Sequence, residues 1–362
     1  MIAESVKKPR YLEIAGQLKE HITTLNSGDA FHSESEICRQ FNVSRMTANR
    51  ILNYLGDEGY IFREQGRGTF VKRNFQAERP VKYIFPDAGF TSSANGDVYC
   101  REGFGGALEA AKSANLEVEQ LIVSVGRKYS KINLSAIKSL STEDKVILPY
   151  YYLHRSDFLD AFSSRNCQTV FIHRQMQIDI ALREYYQNWH TVMIDRCAAM
   201  RNVVSYLAGK RRKRIAFLNY TAHPDAPFYK GFIEGLAENN LPYIPELSLT
   251  GNYAIDFSYN SAMQLIMCRK FRPFDALITM YASQAIGAIQ ALHDSGIKVP
   301  EDVAVVSCTD EQHLESYIQP VTAVNLRYAE AGRIAMNIFN EDCYTPGATE
   351  IVTPELIERE TS

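Results

Sequence analysis

Ser33-Glu34-Ser35-Glu36-Ile37-Cys38-Arg39-Gln40-Phe41-Asn42-Val43-Ser44-Arg45-Met46-Thr47-Ala48-Asn49-Arg50 holds two helix starts separated by a short turn. Ser33 and Glu36 have the form of a capping box, in which a hydroxyl and a carboxylate three residues later satisfy backbone N–H groups reciprocally. The helix they open runs through Ile37, Cys38 and Phe41. After Asn42-Val43, Ser44 caps a further helix with the apolar face Ala48, Ile51, Leu52 and Leu55. Gly59 ends it, as a residue tolerant of positive φ. Upstream, Ile14, Leu18, Ile22 and Leu25 recur at helical spacing. Downstream, Tyr60-Ile61-Phe62 and Thr69-Phe70-Val71 are short β runs joined by the glycine-permitted turn Gln65-Gly66-Arg67-Gly68. Helix, helix, turn, helix, hairpin is the order of a winged helix-turn-helix, expected over residues 1–73. Asn74 to Pro80 reads as a linker.

From Val81 the pattern changes. Apolar β runs at 83–85, 118–123, 146–148, 170–172, 192–194, 215–218, 276–278 and 303–306 alternate with helical stretches such as 102–114, 198–208, 229–238 and 282–294. Near-continuous apolar strands between helices imply parallel sheets covered on both faces, joined by right-handed crossovers. The expected fold class is α/β, doubly wound, behind the winged head. So long a stretch calls for two lobes.

Composition sets the class. Of 362 residues, 46% are hydrophobic and 22% charged, as in an ordinary globular protein. No signal peptide and no membrane-spanning run is read, so the cytoplasm is the expected location. Seven dispersed cysteines (Cys38, Cys100, Cys167, Cys197, Cys268, Cys308, Cys343) include no C-x-x-C pair, which suggests reduced thiols, with neither a zinc site nor a disulfide framework. The chain's 39 Lys+Arg and 42 Asp+Glu are unevenly spread: residues 1–73 hold 11 against 9, leaving 28 against 33. The sign of that asymmetry suits a DNA-reading head, although its size decides nothing.

In such a head the third helix enters the major groove, with its N-terminal residues at base edges. Here these are Ser44, Arg45, Thr47, Asn49 and Arg50. Arginine can grip guanine bidentately and asparagine adenine, while Ser and Thr can bond phosphate or base. Arg67, between Gly66 and Gly68, is placed to approach phosphate or the minor groove. Backbone N–H groups at the starts of the second and third helices, near Ser35 and Ser44, favour phosphate. The competing reading of Arg45, Asn49 and Arg50 is a plain solvated helix face.

Pro9-x-Tyr11, Ser33-Glu34-Ser35-Glu36-Ile37, Val43-Ser44-Arg45-x-Thr47, Glu58-Gly59-Tyr60-Ile61 and Gln65-Gly66-Arg67-Gly68-Thr69-Phe70-Val71 together resemble the GntR-family DNA-binding domain over residues 9–71. The resemblance implies dimers on palindromic double-stranded operators, with Ser44, Arg45, Thr47 and the wing from Gly66 to Thr69 touching DNA. Two positions depart from the pattern. His32 stands where proline is usual, and Asn49 where a base-reading arginine is usual.

The remainder resembles the LacI/GalR effector domain, which shares its fold with periplasmic sugar-binding proteins. The resemblance rests on Tyr83 to Asp87, Ile194-Asp195, Leu207-Ala208-Gly209, Arg214-Ile215-Ala216-Phe217 and Lys230-Gly231-Phe232. It continues through Ala285-Ile286-Gly287-Ala288, Gly296-Ile297-x-Val299-Pro300-Glu301-Asp302-Val303, Pro320-Val321-Thr322-Ala323-Val324 and Ala331-Gly332. The combination of head and body is similar to arabinose-operon repressors of the AraR type. It implies an effector domain at 81–345, with one lobe at about 81–209 and 308–325, the other at about 210–307 and 326–345, and a C-terminal tail at 346–362. A ligand is expected between the lobes, beyond the carboxyl ends of the strands. Tyr99, Arg174, Phe228, Tyr253, Tyr281 and Asp310 are its candidate contacts, and Tyr150-Tyr151-Tyr152 is a further aromatic run in reach of the cleft. Phe228 replaces an arginine, and Tyr281-Ala282 an Asn-Asp pair, that grip ligand in the resembled family. For the three single tyrosines plain packing is as good a reading. Lys210-Arg211-Arg212-Lys213-Arg214 reads as a solvated connection between lobes.

These expectations describe a homodimeric, cytoplasmic repressor without cofactor, released from a palindromic operator by a carbohydrate-like effector that closes the lobes and shifts the two heads. Two other functions compete. A GntR-headed pyridoxal-phosphate protein needs a longer chain and a Schiff-base lysine in a recognisable setting, and neither is read here. A solute-binding protein without a DNA role is opposed by the head. Catalytic constellations are not read either, so no enzyme activity is expected.

Overall fold

The computed structural model describes residues 9–22, 24–25, 28–64, 66–72, 79–86, 94–114, 116–123, 133–149, 156–173, 183–219, 223–252, 254–268, 273–341 and 343–362. The chain divides into two compact units, Met1–Arg79 and Pro80–Ser362.

In the first unit, α1 (Arg10–Ile22) is followed by β1 (Ala30–Phe31), α2 (Glu34–Phe41), α3 (Arg45–Asp57), β2 (Ile61–Glu64) and β3 (Gly68–Val71). Ile14, Leu18 and Ile22 of α1, Ile37 of α2, and Ala48, Ile51, Leu52 and Leu55 of α3 form one apolar core with Phe31, Ile61 and Val71. The capping box at Ser33 is present, and Asn42 closes α2 in the left-handed region at φ 50°. That sharp reversal lets Ser44 start α3 two residues later. The hairpin pairs Glu64 with Gly68 and Ile61 with Val71. A third strand not anticipated from sequence, β1, pairs with β3 through Ala30–Phe70 and Phe31–Thr69. Two residues carry too little periodicity to be read as a strand.

The second unit opens with β4 (Val81–Pro86), α4 (Ala94–Ala114), β5 (Val118–Val123), α5 (Ser135–Lys138), β6 (Lys145–Pro149), α6 (Ser156–Ser163), β7 (Gln168–His173), α7 (Arg183–Tyr186) and β8 (His190–Ile194). It continues with α8 (Arg196–Gly209), β9 (Ile215–Asn219), α9 (Pro227–Glu238), β10 (Ser248–Thr250), α10 (Ile255–Cys268), β11 (Ala276–Thr279), α11 (Ala282–Asp294), β12 (Ala304–Ser307), α12 (Gln312–Glu315) and β13 (Thr322–Asn325). Last come α13 (Tyr328–Asn340), β14 (Thr349–Val352) and β15 (Glu355–Ile357). Two six-stranded sheets result, ordered β14-β8-β7-β6-β4-β5 and β10-β9-β11-β12-β13-β15. Every neighbouring pair is parallel except β13 with β15. Each sheet reverses strand order once, beside β4 in the first and β9 in the second.

The chain passes between the sheets three times: at Asp195, at Leu326-Arg327 and at Thr353-Pro354. This corrects the expected division. Residues 308–325 end in β13 of the second sheet, not the first, and 326–345 carry α13, which packs on α4 and on β6, β7 and β8 of the first. The reason is steric. A Cβ on Gly332 would lie 1.8 Å from the carbonyl oxygen of Gly103, and one on Gly106 would lie 1.8 Å from that of Ala329. Three glycines thus let α13 and α4 approach backbone to backbone. Residues 346–362 are no tail either, since β14 extends the first sheet beside β8 and β15 extends the second beside β13. Their strands are short and mostly exposed or half-buried, so no apolar alternation announced them. The basic run at 210–214 is likewise not between lobes. It joins α8 to β9, where Lys210 pairs with Glu358, Arg212 donates to the Pro300 carbonyl, and Asp275 accepts from the Lys213 and Arg214 amides.

Candidate nucleic-acid interface and effector cleft

The start of α3 is a built surface. Ser44 caps the helix, accepting from the Thr47 amide at 3.2 Å, with its hydroxyl 2.9 Å from that of Thr47. Arg45 then stands clear, its side chain 87% exposed and paired with Glu34 through Nε at 3.2 Å. Glu34 also accepts from Arg63 of β2 at 3.5 Å. Arg63 in turn donates to Oδ1 of Asn49 and of Asn53, each at 3.3 Å. Because a guanidinium only donates, both amides turn their oxygens toward it. A polar chain Arg45–Glu34–Arg63–Asn49 therefore ties α2, α3 and β2 together across one surface. Arg63, Glu34 and Asn53 were not singled out in the sequence. A lone arginine two residues into a hairpin strand carries no signal until β2 is laid along α3.

Arg50 is exposed, and its guanidinium covers the Tyr11 ring of α1 at 4.1 Å from the centroid. That contact pre-orders a flexible cation at modest cost. Ser35 is exposed at the start of α2, its hydroxyl 3.1 Å from that of Ser33. Glu36 is held below its ordinary value because the Ser33 backbone N–H and hydroxyl both donate to it, and a charged carboxylate there complements the helix N-terminus. At the wing, Gly66 and Gly68 have φ of +80° and +128°. Such angles let the turn project Arg67, 78% exposed and paired with Glu64 at 3.0 Å. Thr69 is different: it is buried where β3 lies between β1 and β2, so its side chain supports the wing rather than facing a partner.

The candidate ligand residues are less uniform. Arg174 and Tyr253, with Tyr150, Tyr151 and Tyr152, lie outside the described residues. Tyr99 is buried, with its ring stacked on Tyr328 of α13 at 4.5 Å. Tyr281 is half-buried ahead of α11, and its amide donates to Gln284 Oε1 at 3.2 Å. Phe228 is buried at the start of α9, and the guanidinium of Arg196 covers its ring at 4.1 Å. Arg196, only 5% exposed, begins α8 at the carboxyl end of β8. A guanidinium thus stands beside Phe228, delivered from another element, which no local motif revealed. Asp310 is clamped by Arg359 at 2.9 and 3.0 Å, and Arg359 also donates to the Val321 carbonyl. Asp310 is therefore an anchor for the C-terminal strand as much as a ligand candidate. Glu102 of α4 stays accessible yet is ringed by protein. This partial desolvation, with the charges of Asp310 and Glu311, raises its pKa. The charges of two carboxylates of the second lobe thus reach one of the first.

Comparison with known proteins agrees with both units. Residues 10–71 match the model for bacterial regulatory proteins of the gntR family, and residues 204–362 match the periplasmic binding protein-like domain. This is a gntR-type head on a periplasmic binding protein-like body. The chain is similar to the transcriptional regulator GalR of Streptococcus thermophilus, at 34% identity over 29% of this chain and 31% of that one. It is also similar to the regulator AscG of Escherichia coli (strain K12), at 23% identity over 76% and 81%. The chain therefore spans about a third of the GalR relative. Among solved structures, the regulator CelR in complex with cellobiose matches with a TM-score of 0.60 at 19% identity, covering 88% of this chain and 92% of that one. CcpA of Weissella paramesenteroides with bound sucrose matches with 0.59 at 21%, covering 78% and 98%. At those identities the likeness is one of fold. Among the described residues of the body, the two sheets and three crossings are what the two-lobed architecture requires, and no helix there is long and apolar enough to cross a membrane.

Proposed function

We propose that this chain is a ligand-responsive, DNA-binding transcriptional repressor. The observation that carries the proposal is the start of α3, where Ser44, Arg45, Asn49 and Arg50 are capped, hydrogen-bonded or stacked into one polar face beside a wing tip bearing Arg67. In this reading α3 enters the major groove, the wing arginine meets phosphate, and Ser35 and Ser44 place helix N-termini at the backbone. Two copies engage a palindromic operator as a homodimer in the cytoplasm. The similarity to regulators such as GalR and AscG supports a regulatory role over a catalytic one.

The effector binds where the strands of both sheets end, among Tyr281, Phe228 with Arg196, and Glu102 opposite Asp310. Hydrogen-bonding carboxylates, a guanidinium and aromatic faces suit a polyhydroxylated ring, and relatives of the same fold were solved with cellobiose and sucrose. Binding there changes operator affinity through a coupling of about 1–3 kcal/mol, roughly five- to 150-fold. The expected sign is release. The test is a thermal-shift screen of mono- and disaccharides, because a ligand raises the stability of the state it occupies. Any hit is then titrated into a protein–duplex complex by fluorescence anisotropy. Tighter DNA binding with ligand reverses the sign, and a chain that attracts no duplex even at low salt refutes the function.

A further inference from the structure

We propose that Met46 reads the 5-methyl group of a thymine, making it a specificity-determining residue of the DNA-binding face. The inference rests on the reading that α3 enters the major groove. Met46 is the second residue of α3 and is 85% exposed. The core-facing side of the helix is Ala48, Ile51, Leu52 and Leu55, and Met46 has no part in that core. Asn49 and Arg50 follow it by three and four residues, so they share its outer face. Among the described residues of the head, one other large apolar side chain is exposed, Phe62 of β2, and its ring stacks on Phe70 at 5.6 Å. Phe62 thus has a folding role on the hairpin. Met46 projects instead from the surface carrying Arg45 and Asn49.

The chemistry on that surface is otherwise all hydrogen bonding. Arginine and asparagine distinguish bases by donors and acceptors, but neither senses a methyl group. In the major groove thymine alone presents one, and apolar side chains contact it. A thioether on three rotatable bonds can adapt to a methyl whose position varies with local DNA shape. Folding does not need the side chain, since Met and Ala differ little in helix propensity. Covering one methyl group with Met46 is worth roughly a three- to fourfold gain in affinity per half-site.

The experiment uses the full chain. It selects bound duplexes from a random-sequence pool, and the enriched duplex is resynthesised with deoxyuridine replacing each thymine in turn. Uracil pairs as thymine does and lacks only the methyl. The expected result is one thymine in each half-site where uracil weakens binding about three- to fourfold. Met46→Ala should bind the thymine and uracil duplexes equally, roughly nine- to sixteenfold more weakly than wild type binds the thymine duplex because both half-sites of a dimer lose the contact, while melting at the wild-type temperature. An enriched duplex without thymine, a duplex indifferent to every uracil, or a Met46→Ala protein that still senses the methyl each overturns the inference with DNA binding intact. A pool that yields no bound duplex at low salt refutes groove entry itself, and the role of Met46 with it.

Discussion

Arg67→Ala should flatten the salt dependence of DNA binding without unfolding the head. The side chain is 78% exposed and its ion pair with Glu64 lies at the surface, where such pairs contribute about 0–1 kcal/mol. Its removal therefore leaves the melting temperature nearly unchanged. If Arg67 neutralises one phosphate, its loss reduces the slope of log affinity against log salt by about 0.9 per head, or about 1.8 for a dimer. Between about 50 and 200 mM salt that slope is worth roughly three- to fourfold in affinity per head. The effect should be similar on any duplex, because phosphate contacts carry no sequence information. Anisotropy titrations of wild type, Arg67→Ala and Arg67→Lys over that range read it directly, and the lysine variant should keep most of the slope. Glu64→Gln supplies the opposite perturbation. Removing the carboxylate 3.0 Å from Arg67 frees the guanidinium and should strengthen binding. A slope identical in wild type and Arg67→Ala would show that the wing tip stays away from phosphate.

Other outcomes follow from the body. Gly332→Ala should destabilise it by about 1–2 kcal/mol, because overpacking against the Gly103 carbonyl outweighs a gain of about 1 kcal/mol in helix propensity. Gly105→Ala, on α4 with nothing within 4 Å of its Cβ, should be neutral or stabilising, so denaturation midpoints that move together for the two variants would contradict the close helix contact. Burial pushes the Cys308 thiol up to about 12, and burial with the Glu234 hydrogen bond and charge pushes Cys197 up to about 11. Both should resist iodoacetamide in the native state while exposed Cys268 and Cys343 react. Rapid labelling of Cys308, followed by mass spectrometry, would mean that its surroundings open readily.

What was legible in the sequence was local. The capping box at Ser33, the cap at Ser44, the apolar stripe Ala48–Ile51–Leu52–Leu55 and the glycines around Arg67 each specify a conformation within one or two turns of chain. The winged head was therefore readable almost residue by residue, as were the apolar strands whose both faces are covered. Tertiary structure alone decided the rest. Division of the lobes depended on Gly103, Gly106 and Gly332 meeting across two helices far apart in sequence, and on β14 and β15 joining different sheets. The polar chain through Arg63, the guanidinium of Arg196 over Phe228, and the clamp of Arg359 on Asp310 each join elements separated by ten to about fifty residues. Periodicity and capping are short-range properties of the backbone, whereas the pairing of charges across a surface or cleft exists only once the elements that carry them have packed.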